Sequence, residues 1–262
     1  MRRRIAVIAC AVLLSACAAG PNPGTSVASP AAESNLRLAR ATLDGGDPKT
    51  AIGLFQQMVK SNPNDYQARL GLADALFMIG ESERARSAYA EAVRVDPKAI
   101  DPLLGLGRIA LAKREFTEAE KRYTAARAVA EQDARPLLGL GSVFDLQGRH
   151  DEAQALYRQA LAAHPENAAV RSNLGLSLAL SGQPRQAVNV LLDVATQPSA
   201  PPQARQNLAL AYGLLGNDEA AENVLSADLE RTAVRSNIDF YRFVRERERT
   251  PALTPAAKVT AP

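Results

Sequence analysis

The sequence predicts an all-α solenoid, a one-directional stack of helix pairs that takes up most of the chain. The first observation is a 34-residue period that runs from Ala32 to Arg235 without an insertion. The second is the helical spacing of apolar residues within each period, and the third is glycine or proline where helices should end. A unit that repeats in this way buries its apolar face only against its neighbours.

Leucine and alanine recur once in every unit, and an aromatic residue recurs in the first four units and is replaced by leucine in the last two. The leucines are Leu38, Leu72, Leu106, Leu140, Leu174 and Leu208. The alanines are Ala51, Ala85, Ala119, Ala153, Ala187 and Ala221. The aromatic position holds Phe55, Tyr89, Tyr123 and Tyr157, then Leu191 and Leu225. This register defines six units over 32–235, starting at 32, 66, 100, 134, 168 and 202.

Each unit is expected to be a helix, a turn and a second helix. In the second unit the first helix covers 69–79, and Gly80 permits the left-handed turn that ends it. Ala85 lies where two helices must approach closely, and Tyr89 fills the wider gap one turn later. The turn glycine recurs in every unit except the third, where Arg114 replaces it.

This pattern resembles the tetratricopeptide repeat (TPR), a helix-turn-helix unit of the same length. The resemblance implies a concave groove that binds a protein segment and is lined by residues of the first helices. In TPR proteins an asparagine at the sixth position often pairs with the backbone of an extended peptide, and here Asn173 and Asn207 hold that position. An amide suits this role because it offers both a donor and an acceptor. The same register selects as further groove candidates Asp74, Phe77, Asp101, Leu104, Arg108, Arg135, Leu138, Leu176 and Leu180.

The mixed charges of these candidates restrict the ligand. A dedicated clamp for a C-terminal carboxylate needs several convergent basic groups, whereas the candidates here include two aspartates as well as two arginines. Any single candidate could equally be a solvated or packing residue. The prediction therefore concerns the groove as a whole.

The N-terminus is typical of a signal peptide. Arg2 to Arg4 precede ten apolar residues, Ile5 to Leu14, which is too short for a membrane span of roughly 20 residues. The following residues, Leu14 to Cys17, resemble the lipobox of bacterial lipoproteins. That resemblance implies removal of residues 1–16 and a covalent lipid on Cys17, followed by a flexible tether to residue 31 that is rich in Ala, Pro, Ser and Gly. An ordinary secretory signal with a cysteine near its cleavage site is the alternative.

Removal of the signal changes what the composition means. The chain carries 31 basic and 28 acidic residues, and loss of the three arginines leaves 28 of each. The net charge of +3 is therefore no indication of nucleic-acid binding. Cys10 is lost with the signal and Cys17 is lipidated, so no disulfide, reactive thiol or thiolate metal site is expected.

No motif of an enzyme, metal site or cofactor site is recognisable. Gly105-Leu106-Gly107 imitates the start of a phosphate-binding loop, but it lacks the third glycine and a preceding strand. His150 and His164 are the only histidines, and neither has metal-ligand or triad spacing. We therefore expect neither catalysis nor a small-molecule substrate, and no cofactor besides the lipid.

The segment 236–249 is predicted to be a helix that caps the last unit. Val234, Ile238, Tyr241 and Val244 share one helical face, which would cover the open apolar end of the stack. Phe243 lies away from that face and is a candidate partner contact. The residues 250–262 contain three prolines and no apolar period, which indicates a disordered tail.

The ending of the chain is more specific than its repeats. The string "QNLALAYGLLGNDEAAENVL", followed by "VRSN" and "FYRF", together with the lipobox and tether, resembles the TadD-type lipoproteins of Tad (Flp pilus) assembly. This resemblance implies an outer-membrane lipoprotein that faces the periplasm and helps to localise, assemble or stabilise the pilus secretin. Ala18, which is not an aspartate, leaves the default route to the outer membrane open.

Two other functions use the same fold and anchor. One is a general periplasmic scaffold that recruits cell-wall or export enzymes, and the other is an accessory subunit of outer-membrane protein assembly. Neighbouring genes for a pilus ATPase, a secretin and a small pilin would favour the pilus function over both.

Overall fold

The computed structural model describes residues 30–249, and this part of the chain is helical without a strand. The predictions for the signal, for Cys17, for most of the tether and for the tail 250–262 lie outside the described residues. The helices are α1 (Pro30–Asp44), α2 (Pro48–Ser61), α3 (Tyr66–Met78), α4 (Ser82–Val95), α5 (Asp101–Ala112), α6 (Phe116–Val129), α7 (Ala134–Leu146), α8 (His150–Ala163), α9 (Ala168–Leu180), α10 (Pro184–Ala195), α11 (Pro202–Leu215), α12 (Asp218–Leu225) and α13 (Arg231–Arg249).

Twelve of these helices form six consecutive pairs, one pair in each period of the sequence. Every helix packs against the next one in the chain. The predicted fold class, an all-α solenoid of helix pairs, is confirmed. None of the helices within 30–249 combines the length and the apolar composition that a membrane crossing requires.

Side-chain caps and glycine turns set the helix boundaries. Asp65 caps α3, because its carboxylate accepts a hydrogen bond from the backbone N–H of Ala68 at 3.0 Å. Asn167 caps α9 in the same way through Val170, at 3.1 Å. The turns inside the pairs contain a left-handed residue, which is glycine five times and Arg114, with a φ of 59°, in the third pair.

The periodic alanines and aromatics form the core between helices, as the sequence indicates. All six alanines are fully buried, and the residues at the aromatic position are at most 3% exposed. Glycines on the first helices make room for the rings. A Cβ added to Gly107 or Gly139 would lie within 2.8 Å or 2.3 Å of the Tyr123 ring, so this ring is held between the backbones of α5 and α7.

The stack is curved because its two sides pack differently. First helices of neighbouring pairs contact each other, as α3 does with α5 and α5 with α7. Second helices of neighbouring pairs, such as α4 and α6, make no such contact within the described residues. The first helices therefore lie on the inner, concave side.

The C-terminal end departs from the expected boundaries. The last paired helix, α12, has only 8 residues, and α13 begins at Arg231, five residues before the boundary at 236 that the sequence pattern suggests. Val234, Ile238 and Tyr241 of α13 are buried against α11 and α12. Because α13 starts at Arg231, Val234 belongs to this helix and lies on the same buried face as Ile238 and Tyr241.

Candidate peptide-binding groove

A cavity of about 700 Å³ lies on the concave side, where α3, α5 and α7 face one another. Its size falls within the range of about 300–1,000 Å³ that is usual for ligand sites. Eight of the residues that the sequence selects line it: Asp74, Phe77, Asp101, Leu104, Arg108, Arg135, Leu138 and Asn173. The structure therefore brings these eight candidates together, in the central part of the stack.

Six further residues line the cavity and were not among the candidates: Leu70, Met78, Leu111, Tyr123, Gly139 and Ser142. The repeat register was a sufficient signal for four of them. Leu70 is equivalent to Leu104, Leu111 to Phe77, Gly139 to Asn173, and Ser142 to Arg108. The register predicts that Tyr123 packs between helices, because it describes the position of the ring and gives no position for the hydroxyl.

The charged residues of the cavity neutralise one another. A guanidinium nitrogen of Arg108 lies 3.6 Å from a carboxylate oxygen of Asp74, and its guanidinium carbon lies 5.3 Å from the centre of the Phe77 ring. On the opposite side, Arg135 donates to Asp101 at 2.7 Å. Each arginine thus has a carboxylate partner, and the cavity presents no net charge from these four groups.

Asp74 also accepts a hydrogen bond from the Tyr89 hydroxyl at 2.5 Å. Burial raises the pKa of the Asp74 carboxyl above its ordinary value, while Tyr89 and Arg108 oppose that shift. Burial and the neighbouring carboxylate of Asp74 raise the pKa of Tyr89 as well. The phenol therefore stays protonated at neutral pH and acts as a donor to Asp74.

A second polar cluster stands beside the cavity, around Asp145. Its carboxylate accepts from the hydroxyls of Tyr157 at 2.9 Å and Ser177 at 2.6 Å, and it lies 2.8 Å from Nδ1 of His150. These contacts join α7, α8 and α9, so they position helices. Nε2 of His164 lies 2.8 Å from the carbonyl oxygen of Gln132, a contact between neighbouring pairs.

Three sequence-selected residues lie outside this cavity: Leu176, Leu180 and Asn207. Leu180 is 53% exposed at the end of α9, and Leu176 is half-buried. The Asn207 amide donates to the carbonyl and hydroxyl oxygens of Ser172, at 3.2 Å and 3.1 Å. Asn173, at the edge of the cavity, donates to the Ser142 hydroxyl at 3.4 Å. Both amide nitrogens thus bond within the solenoid, and a peptide-binding role for them stays a prediction.

Phe243 lies on the outer side of α13 and is 53% exposed. The guanidinium carbon of Arg247 lies 5.7 Å from the centre of its ring. Phe240, which is not among the predicted site residues, is 55% exposed on the same helix. A spacing of three residues places the two rings side by side on a helix, a signal that was available in the sequence.

Within residues 30–249, no group of three or more histidine, cysteine, aspartate or glutamate side chains is arranged to hold a metal ion. The features of the described chain are a stack of helix pairs and a concave cavity with apolar walls and paired charges. These features define a repeat scaffold.

Matches between the amino-acid sequence and models of protein families identify the family. One tetratricopeptide repeat model matches residues 36–100 and 104–168, and a second tetratricopeptide repeat model matches residues 146–198. Together these matches cover more than half of the chain. The chain belongs to the tetratricopeptide repeat family. No curated protein matches it.

Solved structures of TPR proteins share the fold. PilW, described as a widely conserved type IV pilus biogenesis factor, is 20% identical to this chain with a TM-score of 0.67. The aligned region covers 77% of this chain and 94% of the PilW chain. PilF of Pseudomonas aeruginosa is 16% identical with a TM-score of 0.62, and the aligned region covers 74% of this chain and 88% of the PilF chain. A thermophilic TPR protein in Thermus thermophilus is 24% identical with a TM-score of 0.61, covering 69% and 98%. At such identities the likeness concerns the fold.

Proposed function

We propose that this chain is a lipid-anchored periplasmic adaptor that holds a protein segment in its concave groove during assembly of a Tad/Flp-type pilus. The observation that carries the proposal is the cavity between α3, α5 and α7, with apolar walls and no uncompensated charge. TPR proteins are interaction scaffolds, and the groove is where a scaffold of this shape offers the most contact area.

The pilus assignment is supported by two independent likenesses. The ending of the sequence resembles the TadD-type lipoproteins, and the fold resembles that of PilW, a type IV pilus biogenesis factor. The proposed partner is the secretin or another component of the pilus assembly machinery. An anchor on Cys17 in the outer membrane would raise the effective concentration of such a membrane-bound partner, so that modest groove affinity suffices.

The experiment that tests the partner is photo-crosslinking in intact cells. A photoreactive residue is placed at Met78, which lines the cavity and is 57% exposed, or, as a control, at Lys121, which is exposed on α6. We expect a crosslink to the secretin or a pilus component from position 78 and none from position 121. Equal crosslinking from both positions, or crosslinks only to components of other machineries, would contradict the proposal.

The anchor is tested by cell fractionation of Cys17→Ser. Stable membrane attachment requires more than one acyl chain, which a modified cysteine supplies. We expect the variant to move from the membrane fraction to the soluble periplasm. Retention of the variant in the membrane fraction would show that Cys17 is not the anchor.

A further inference from the structure

Three tyrosines occupy the same position in consecutive units, but their hydroxyls have different surroundings. Tyr89 donates to Asp74 at 2.5 Å, and Tyr157 donates to Asp145 at 2.9 Å. The hydroxyl of Tyr123, the middle one, has no hydrogen-bond partner among residues 30–249, although the residue is only 3% exposed. Among the described residues this oxygen is not one of the fully buried atoms without a partner, and Tyr123 lines the cavity, so the hydroxyl keeps a surface that a ligand can reach.

Two substitutions within the repeat register explain the missing partner. The position of Asp74 is taken in the next unit by Arg108, and the position of Asp145 is taken in the preceding unit by Leu111. Arginine offers only donors and leucine offers neither donor nor acceptor, so neither can accept from the phenol. Both residues line the cavity, as Tyr123 does. The hydroxyl is therefore a free donor at the cavity floor.

The phenol cannot gain a partner by rotating away. A Cβ on Gly139 would lie 2.3 Å from the Tyr123 ring, and one on Gly107 would lie 2.8 Å from it, so the ring is fixed between two backbones. Burial raises the pKa of Tyr123 to about 12, so it remains protonated at neutral pH. A fixed, protonated hydroxyl is suited to an acceptor supplied by a ligand.

The walls around this donor are apolar, and the nearby charges are engaged. Leu104, Leu111 and Leu138 line the same cavity. Arg108 and Arg135 already bind Asp74 and Asp101. A carboxylate placed here would face two aspartates as well as two arginines, and would gain little.

We propose that Tyr123 defines a specificity subsite for an uncharged stretch of extended polypeptide. An aliphatic or aromatic side chain of the ligand packs against Leu104, Leu111 and Leu138, and a backbone carbonyl oxygen of the ligand accepts the hydrogen bond from Tyr123. This inference rests on the proposed function, in which the groove binds a protein segment, and it adds the chemistry of that segment.

The test uses a displayed library of short random peptides, selected on the full-length protein. Selected peptides are synthesised with a free or an amidated C-terminus, and their dissociation constants are measured by fluorescence anisotropy. We expect an uncharged core with an apolar residue, and equal affinity for both C-termini. Tyr123→Phe should weaken binding about tenfold, the effect of one lost hydrogen bond to a buried donor. Tyr157→Phe is the matched control and should bind as the native protein does.

The outcomes separate this inference from the proposed function. Peptides that bind equally well to Tyr123→Phe, or that need a free carboxylate, would overturn the subsite while leaving groove binding intact. Peptides that crosslink to a photoreactive residue at Lys121 and not at Met78 would place binding outside the groove and contradict the proposed function itself. Circular dichroism of each variant establishes that it is folded, and Tyr123→Phe loses no hydrogen bond of the solenoid.

Discussion

The ring of Tyr241 in α13 lies directly against Gly213 in α11. A Cβ on residue 213 would lie only 2.2 Å from the ring, and 2.8 Å from the Cβ of Tyr241. The terminal helix α13 therefore contacts α11, the first helix of the sixth pair, at a residue that has no side chain. Glycines face the tyrosine rings inside the solenoid in the same way, and here the arrangement joins the solenoid to its cap.

Replacement of Gly213 by alanine should loosen the cap. The added methyl group requires α13 to shift, and overpacking of this kind costs about 1–3 kcal/mol. Gly53→Ala is the matched control, since a Cβ there meets nothing within 4 Å and helix propensity favours alanine by up to about 1 kcal/mol. Thermal unfolding of both variants measures the difference. A melting temperature of Gly213→Ala at or above that of Gly53→Ala would contradict the contact.

Replacement of Arg114 by glycine should stabilise the protein. Arg114 has a φ of 59° at the position where the other pairs have glycine, and a left-handed conformation costs a non-glycine residue about 1 kcal/mol or more. The substitution also removes the stacking of Arg114 on the Phe116 ring, 5.6 Å from its centre, so a net gain of about 0.5 kcal/mol is expected. Chemical denaturation measures it, and a lower midpoint would show that the stacking outweighs the backbone strain.

Phenylalanine substitutions at Tyr123 and Tyr157 should differ in their effect on stability. Tyr157→Phe removes the hydrogen bond to Asp145 and should cost about 1 kcal/mol. Tyr123→Phe removes a hydroxyl without a partner and should leave the free energy of unfolding unchanged or slightly higher. Urea denaturation of the unliganded variants compares them. Equal losses for the two would mean that the Tyr123 hydroxyl is stabilised within the fold.

Acid should release α13 before the centre of the stack unfolds. Arg245 and Arg242 donate to Asp218, and these hydrogen bonds lower the pKa of its carboxyl below the ordinary value of 3.8. A lowered folded-state pKa stabilises the folded protein above about pH 4, and that contribution is lost as the pH falls through the folded-state value.

Amide hydrogen exchange, corrected for its intrinsic pH dependence, measures this release. Protection of α13 should fall relative to that of α9, which is capped by the non-titrating Asn167, as the pH drops below about 4. In Asp218→Asn the lower protection should already be present at neutral pH. A native α13 that stays as protected as α9 at low pH would show that Asp218 does not hold it.

The sequence was sufficient for the periodic features of the fold. Ala85 and Tyr89 have equivalents throughout the repeats, and packing in a repeat stack depends on such equivalents, so their burial could be predicted. The same register placed Leu104, Leu138 and Arg108 on the inner side, where they line the cavity. The period predicts the positions of these residues because each repeat unit contacts only the units next to it in the sequence.

Features that depend on departures from the period could not be predicted. The unpaired hydroxyl of Tyr123 results from two separate substitutions, at Arg108 and Leu111, which matter only once three helices are placed together. The early start of α13 depends on the shortness of α12, which ends at Leu225. The hydrogen bond from the Asn207 amide to Ser172 is likewise not visible in the sequence spacing, and the predicted groove role of Asn207 stays a prediction.

Leu38 and Leu208 hold the same position in the first and last units, yet their exposure is 56% and 1%. Stability in repeat proteins is close to a sum of unit terms and nearest-neighbour interfaces. Within the described residues the first unit has one such neighbour, whereas the last has two because α13 covers it. The stack should therefore fray in one direction, from α1 towards the cap. A force applied to the N-terminal end would unfold the units one after another, and the capped end would unfold last.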